Sequence, residues 1–379
     1  MHILLINNVY ETGLPTSDNL LARYHSLTGW AEALVEVGAQ VSVLQRFHSN
    51  TSQVRKGVHY EFIRDRYPPR LRARQIPLRL HRMAGQLARQ ETAAVAHING
   101  LIFPLQTAHL RACLPGHCAI VAQHHAEKPF KGWKKWVQRW GLSVVDGFFF
   151  TSQEQAQDWQ LAGIIRSPQP IFEVMEGSTS FMPAERASAR QRTGLRGEPL
   201  FLWVGRLDHN KDPLTVLAGF EQALPAMPQA RLAMIYHTEE LLPAVQIRLA
   251  ANPRLREAVT LVGRVPHDQI EHYFHSADYF VLGSHSEGSG FALAEAMACG
   301  VTPIVTDIPS FRMMTDRGRV GMLWPVGDAH ALMAAICLTT TQLAAPRNTR
   351  QFFEQTLSYP VIARRALAAY QVLSTQHLR

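Results

Sequence analysis

The chain opens on an unbroken apolar run, His2–Asn7, which predicts a strand covered on both faces. A polar stretch containing Gly13 and Pro15 follows. From Asn19 to Val37 the positions Leu20, Tyr24, Leu27, Ala31, Leu34 and Val35 recur at helical spacing, and Gly38 stands where a C-terminal cap belongs. Val41–Leu44 is the next strand, so the segment reads as a β-α-β unit of a parallel sheet. Further strands are predicted at Ala94–Ile98, Ala119–Ala122 and Gly147–Thr151. A second alternating series has strands at Leu200–Gly205, Leu232–Tyr236, Val259–Val262, Tyr279–Gly283, Pro303–Thr306 and Gly321–Trp324. Helices fit between them at Pro213–Leu224, Glu239–Ala251, His267–Ser276, Phe291–Ala298 and Asp328–Leu338, and Ser358–Leu373 adds an amphipathic helix.

Between the two series, Pro183–Pro199 lacks a large apolar face and reads as a connection. The expected architecture is α/β, with two doubly wound Rossmann-like domains facing a central cleft. Residues 1–185 make the N-terminal domain and 186–357 the C-terminal one, and a helix over about 358–379 packs back on the first. A length of 379 residues suits two domains. Open α/β sheets bind ligands beyond the carboxyl ends of their strands, so the cleft is where chemistry is expected.

Hydrophobic residues make up 46% of the chain and charged residues 18%, which excludes a disordered or fibrous protein. The formal charge of +8 lies almost wholly in one half: residues 1–190 carry 21 basic and 14 acidic side chains, the rest 17 and 16. An anionic partner is therefore expected at the N-terminal half. Arg55–Gln90 holds ten basic residues against Glu61 and Asp65, and Lys131–Trp140 is a basic helix bearing Trp133, Trp136 and Trp140. Both are expected to dock on anionic lipid. Cys113, Cys118, Cys299 and Cys337 are too few for a disulfide scaffold. The spacing of Cys113, His117 and Cys118 is not that of a zinc site, so buried free thiols and no metal are expected. Met1–Asn7 has neither a basic n-region nor a small-residue cleavage site, and no apolar run reaches the ~20 residues that span a bilayer. The expected location is cytoplasmic, peripheral on the inner face of the membrane, with no nucleic-acid partner.

The most informative segment is Ser284-His-Ser-Glu-Gly-Ser-Gly-Phe-Ala-Leu-Ala-Glu-Ala-Met-Ala-Cys-Gly300. A strand ends in a small polar loop that opens into a helix. Gly288 and Gly290 allow close backbone approach, and the amides from Gly290 through Phe291 and Ala292 to Leu293 are expected to be open to a phosphate at the helix start. Glu287 in the loop and Glu295 just over one turn into the helix can face one crevice, where each carboxylate suits vicinal hydroxyls of a ribose or hexose. A second strand end, Val204-Gly-Arg-Leu-Asp-His-Asn-Lys-Asp-Pro213, sets Arg206 and Lys211 on the same edge, where two cations can neutralise a diphosphate leaving group.

These segments resemble the retaining glycosyltransferases of family four, the group 1 glycosyltransferases with the GT-B fold. The resemblance is carried by Gly205-Arg206 with Lys211, by Glu287 and Glu295 with seven residues between them and Gly290-Phe291, by Glu295–Gly300, and by Pro303-Ile-Val-Thr. Leu261-Val-Gly-Arg-Val265 and His272–Asp278 look like the family's base-side segment. It is specific over residues 200–330 and covers the N-terminal half only in pattern.

The resemblance implies a nucleotide-diphosphate sugar as donor and no cofactor besides. The diphosphate falls to Arg206 and Lys211, the ribose to Glu295, and the donor sugar to Glu287. The amides after Gly290 hold phosphate and sugar, and the loop of Gly263, Arg264 and Val265 holds the base. It also implies retention of configuration without a metal, transferring to a glycan, glycolipid or small hydroxyl acceptor, with a cell-envelope glycan favoured. A histidine after the strand Ala119–Ala122 is expected to face the donor sugar; His124 and His125 both fit, and His124 is favoured. His97 also ends a strand. The sequence departs from the family at the first loop, where only Gly13 stands for the usual paired glycines. It departs again at His237-Thr238-Glu239 and at Glu176-Gly177-Ser178. Two alternatives are carried: a non-catalytic nucleotide-sugar-binding partner subunit, and another GT-B-like enzyme such as an epimerase.

Overall fold

Two sheets organise the chain, each in its own unit: Met1–Ser178 with the segment from Tyr359 onward, and Thr179–Ser358. The computed structural model describes residues 1–342 and 347–376. The first unit contains β1 (His2–Asn7), α1 (Ser17–Arg23), α2 (His25–Glu36), β2 (Gln40–Phe47), β3 (Thr51–Arg55), β4 (Val58–Arg64), α3 (Leu78–Gln90) and β5 (Val95–Asn99). It continues with α4 (Pro104–Cys113), β6 (Ala119–Gln123), α5 (Trp133–Leu142), β7 (Gly147–Phe150), α6 (Gln153–Leu161) and β8 (Ile171–Glu173). Its strands lie in the order β3-β4-β2-β1-β5-β6-β7-β8, all parallel except the β3/β4 hairpin.

That hairpin turns on two residues, Lys56 and Gly57, both at positive φ, the backbone that matches strand twist in a two-residue loop. Its turn lies inside the basic stretch expected to dock on anionic lipid, and Lys56 and Arg55 both reach Glu32, at 2.8 and 3.6 Å. Within α3, Leu80, Ala84 and Ala88 are buried, so that face is committed to the core. The single helix expected over 19–37 is two helices. Thr16 caps α1 through the Asn19 amide, and Tyr24, with ψ near 48°, breaks the run before α2. Apolar side chains of β1, β5, β6 and β7 (Leu4, Ile6, Ile98, Ile120, Phe148, Phe150) make one core under α3, α4 and α6.

The second unit contains α7 (Arg186–Thr193), β9 (Leu200–Gly205), α8 (Pro213–Ala223), β10 (Arg231–Tyr236), α9 (Leu242–Ala251), α10 (Pro253–Ala258), β11 (Val259–Gly263), α11 (His267–Ser276) and β12 (Tyr279–Leu282). It ends with α12 (Phe291–Ala298), β13 (Thr302–Thr306), α13 (Pro309–Met314), β14 (Met322–Trp324), α14 (Ala329–Gln342) and α15 (Arg347–Thr356). The segment read as a connection folds into α7. Glu185 caps its first amides, and Arg186 and Arg190 both pair with Asp278, at 2.6 and 2.8 Å. The strand order is β11-β10-β9-β12-β13-β14, all parallel. Winding reverses between β9 and β12, the place where an open parallel sheet leaves a crevice beyond its carboxyl ends.

The last helix, α16 (Tyr359–Gln376), belongs to the first unit, where Tyr370 is buried and its hydroxyl meets His97 Nδ1 at 2.5 Å. Residues 377–379 of the helix expected over 358–379 lie outside the described residues. All four cysteines are free thiols; Cys118 is buried, and burial pushes its pKa up to about 12. No described helix is long and apolar enough to cross a membrane.

Candidate functional site

The reversal between β9 and β12 brings together the two segments singled out in the second unit. After β9, Gly205 is confined: a Cβ there would sit 3.1 Å from the Trp203 ring and 3.4 Å from Lys211 Cγ. Asp208 organises the loop, accepting from the Lys211 amide (2.9 Å) and from Arg206 Nε (2.7 Å). Arg206 is half exposed and Lys211 is mostly covered. Asp212 lies at positive φ and caps α8 through the Thr215 amide.

After β12 the second loop runs alongside the first. The His285 amide donates to Asn210 O (2.8 Å) and Asn210 Nδ2 donates to Ser286 O (3.0 Å). Lys211 Nζ donates to Glu287 Oε1, with both side chains largely covered. Gly290 then turns the chain into α12 at φ 71°, and a Cβ there would lie 2.5 Å from the Phe311 ring. Only glycine meets both conditions without a shift.

The amides of Phe291 and Ala292 find no acceptor among the described residues and stand open in the first turn. Leu293 departs from expectation. Its amide donates to Gly290 O at 3.0 Å and its side chain is buried, so the first turn consumes that donor. Glu295 is buried and accepts from His267 Nε2 at 3.1 Å. Burial pushes its carboxyl pKa up, against the opposing pull of His267. His267 was not among the residues expected from sequence. Gly263, at φ 80° with open space where a Cβ would be, ends β11, followed by exposed Arg264 and half-covered Val265.

The first unit has its own cavity, of 1140 Å³, at the equivalent reversal between β1 and β5. Its walls include Asn7, His97, Asn99, His125 and Glu176, with Tyr10, Trp30 and Phe103 as aromatic surface. Gly13, at φ 82°, is exposed and is not part of the wall. A buried arginine shapes one side: Arg46 pairs with Asp65 (2.7 Å) and donates to the carbonyls of Asn8, Pro68 and Pro69, pinning the Pro68–Leu71 rim.

Of the two adjacent histidines, His125 lines this cavity and the favoured His124 does not. The His124 amide continues the ladder to Phe149 O, which turns its ring onto the face of Ile120 and Ala122. There it stacks on Phe150 at 4.7 Å and meets Trp159, away from the cavity. Burial lowers its pKa. His125 points the other way. Its Nδ1 pairs with Glu176, its Nε2 lies 3.0 Å from Asn99 Oδ1, and its amide donates to Glu127 Oε2. Burial opposes its charge, yet Glu176 and then Glu127 hold its pKa above the ordinary imidazole value. His97 is buried, and burial lowers its pKa to about 3. Neither Glu176 nor Asn99 is expected at the site from sequence; the one signal is the departure from the family at Glu176-Gly177-Ser178.

Comparison with known proteins matches both units to related families. The model "Glycosyl transferases group 1" matches residues 185–344, and "Glycosyltransferase Family 4" matches residues 26–169. A D-inositol 3-phosphate glycosyltransferase of Nocardia farcinica is 27% identical over 46% of this chain and 40% of its own length. A GDP-mannose:cellobiosyl-diphosphopolyprenol alpha-mannosyltransferase of Xanthomonas campestris is 27% identical over 60% of each. The chain therefore spans less than two thirds of these relatives. Among solved structures, sucrose-phosphate synthase of Thermosynechococcus elongatus superimposes with a TM-score of 0.71 at 20% identity, over 99% of both chains. Anabaena HepE, in complex with UDP and glucose, gives 0.69 at 14% identity, over 98% of this chain and 100% of that one. The fold is GT-B. With one family model on each unit, the chain belongs to the group 1 glycosyltransferases of family 4.

Proposed function

We propose that the chain transfers a sugar from a nucleotide-diphosphate sugar to a hydroxyl of a glycan or glycolipid, with retention of configuration and without a metal. The observation that carries this reading is the junction of the loops after β9 and β12, where Lys211 meets Glu287 beside the open amides of Phe291 and Ala292. In this reading the second unit holds the donor. Arg206 and the two amides take the diphosphate, Lys211 neutralises the leaving group, Glu295 takes the ribose hydroxyls and Glu287 the donor sugar. The loop of Gly263, Arg264 and Val265 takes the base, and Gly205 and Gly290 let both loops approach. Two cationic side chains and a helix start supply the charge that a divalent ion supplies elsewhere.

The acceptor meets the first unit, in the cavity walled by Asn99, His125 and Glu176, with His125 in the role expected of His124. Relatives named for a diphosphopolyprenol acceptor and for amylovoran biosynthesis support an envelope glycan, and the exposed tryptophans and Lys134 on α5 support work at an anionic membrane surface. Thermal shift with a panel of nucleotide sugars tests donor and base together. The matching donor at a hundredfold excess over Kd adds ~2.7 kcal/mol. Transfer or donor hydrolysis that survives both Glu287→Ala and Arg206→Ala overturns the assigned site.

A further inference from the structure

A line of side-chain amides runs from the interior of the first unit to its cavity. Gln45 is fully buried, and its Nε2 donates to two backbone carbonyls, Val9 O (2.9 Å) and Arg46 O (2.8 Å). A carbonyl can only accept, so the Gln45 amide is oriented by the main chain. Its Oε1 must then receive Asn7 Nδ2, at 2.9 Å. That leaves Asn7 Oδ1 to receive Asn99 Nδ2, at 2.6 Å. Asn99 Oδ1 in turn faces His125 Nε2 at 3.0 Å, and an amide oxygen needs a donor there. Turning over any one amide sets like atoms against each other at its contact with the preceding link. On its other nitrogen, His125 pairs with Glu176, a further acceptor.

We propose that Gln45, Asn7 and Asn99 are positioning residues that hold His125 with both ring nitrogens donating, so that the first unit keeps an imidazolium–carboxylate pair at its cavity wall. Two main-chain carbonyls set the direction of the chain, which places a proton on Nε2, and Glu176 as a carboxylate acceptor places the second on Nδ1. The groups facing His125 are Glu176 after β8, Glu127 and His124 in its own loop, and His97 and Asn99 on β5. The two carboxylates favour the cation, while His97 titrates far too low to compete with it. As a result Glu176 stays ionised and His125 cannot rotate without breaking a bond at each nitrogen. A ligand in the cavity meets a fixed dipole instead of a freely turning ring. This goes beyond the transferase reading and rests on it only in taking the cavity as the acceptor's.

Nitrogen NMR of isotope-labelled histidine in the intact chain tests the proposal, with the His125 signal assigned by its loss in His125→Gln. At pH 7 both ring nitrogens are expected to carry protons, with a titration midpoint above 6.5. Asn7→Ala, two links away, frees Asn99 to turn over and is expected to lower the midpoint by about one pH unit, a tenfold fall in the charged fraction above it. Asn99→Asp keeps an acceptor, adds charge and is expected to raise it. A neutral His125 ring at pH 7 in the unaltered chain overturns the proposal, as does a midpoint that neither variant moves. If Asn7→Ala fails to fold, the unaltered chain and Asn99→Asp still decide the matter. The titration needs no donor or acceptor, so it stands or falls separately from the transferase reading.

Discussion

Lys211 Nζ donates to Glu287 Oε1, tying the loop after β9 to the loop after β12 where the winding of the second sheet reverses. Neither residue is near the other in sequence, and each sits on its own strand-to-helix turn. The pair is mostly withdrawn from solvent, so each side chain sets the position and charge environment of the other. Lys211→Met removes the cation that meets the covered Glu287; Glu287→Gln removes the anion that meets Lys211. The single variants are expected to lose more stability together than the double variant, with a coupling of about 0.5–3 kcal/mol by denaturant unfolding. Loss of leaving-group neutralisation in Lys211→Met is expected to cost about 100-fold or more in kcat. Additive stabilities would place the two groups in contact without mutual dependence.

Gly290 faces two separate obstacles to any side chain, its positive φ and the Phe311 ring. Gly290→Ala is expected to destabilise the second unit by about 1–3 kcal/mol and to weaken nucleotide binding, because α12 can no longer start where its first amides face the loop. Adding Phe311→Leu relieves the steric part but not the backbone strain. The expected outcome is partial recovery of the melting temperature. Full recovery would mean that φ contributes nothing.

The legible part of this chain is where hydrophobic runs end in glycine or small polar residues. The turns at Gly205 and Gly290 follow strands buried on both faces, so run length alone marks them, and Glu287, Lys211 and Arg206 fall on those turns. The hairpin at Lys56-Gly57 escaped because β3 is polar and exposed along most of its length, and the turn lacks the Asn-Gly or Asp-Gly pair that marks such loops. Tyr24 ends a helix without proline or glycine, so nothing local announces it. His124 and His125 differ only in strand parity. With both faces of a parallel sheet apolar, parity does not say which side meets the cavity. Glu176 is remote from His125 in sequence, and only the adjacency of β6, β7 and β8 brings their ends together.

Glu295 makes a pH-dependent prediction whose sign is set by burial. Its folded-state pKa lies above the ordinary 4.5, so the folded chain binds this proton more tightly than the unfolded one. The group costs nothing below the unfolded value. Its cost grows as pH rises from there to the folded value and is complete above it. Glu295→Gln keeps the acceptor for His267 and removes the charge. It is expected to raise the melting temperature of the ligand-free chain at pH 7, to leave it unchanged near pH 3, and to weaken donor binding, since a neutral acceptor holds ribose hydroxyls less strongly. A variant less stable than the parent at pH 7 would show that His267 outweighs burial.

Helix α5 presents Trp133, Trp136 and Trp140 at 70%, 61% and 60% exposure, spaced three and four residues apart and so on one side of the helix. Lys135 and Arg139 lie over the Trp136 ring at 5.8 and 5.5 Å, and Lys131 and Lys134 stand exposed beside them. Leu161, at the end of α6, is 86% exposed. Aromatic rings prefer the headgroup region, and each cation near an anionic surface adds about 1 kcal/mol. The chain is expected to co-sediment with phosphatidylglycerol vesicles at 0.1 M salt. It should release in 1 M salt, where the Debye length falls from about 10 to about 3 Å. Replacing the three tryptophans by serine is expected to weaken binding at every salt concentration. Replacing Lys131, Lys134 and Lys135 by glutamine should weaken it only at low salt and flatten the salt dependence. Equal binding to phosphatidylcholine vesicles would remove the electrostatic part of the argument, and tryptophan fluorescence that does not shift to the blue on binding would remove the aromatic part.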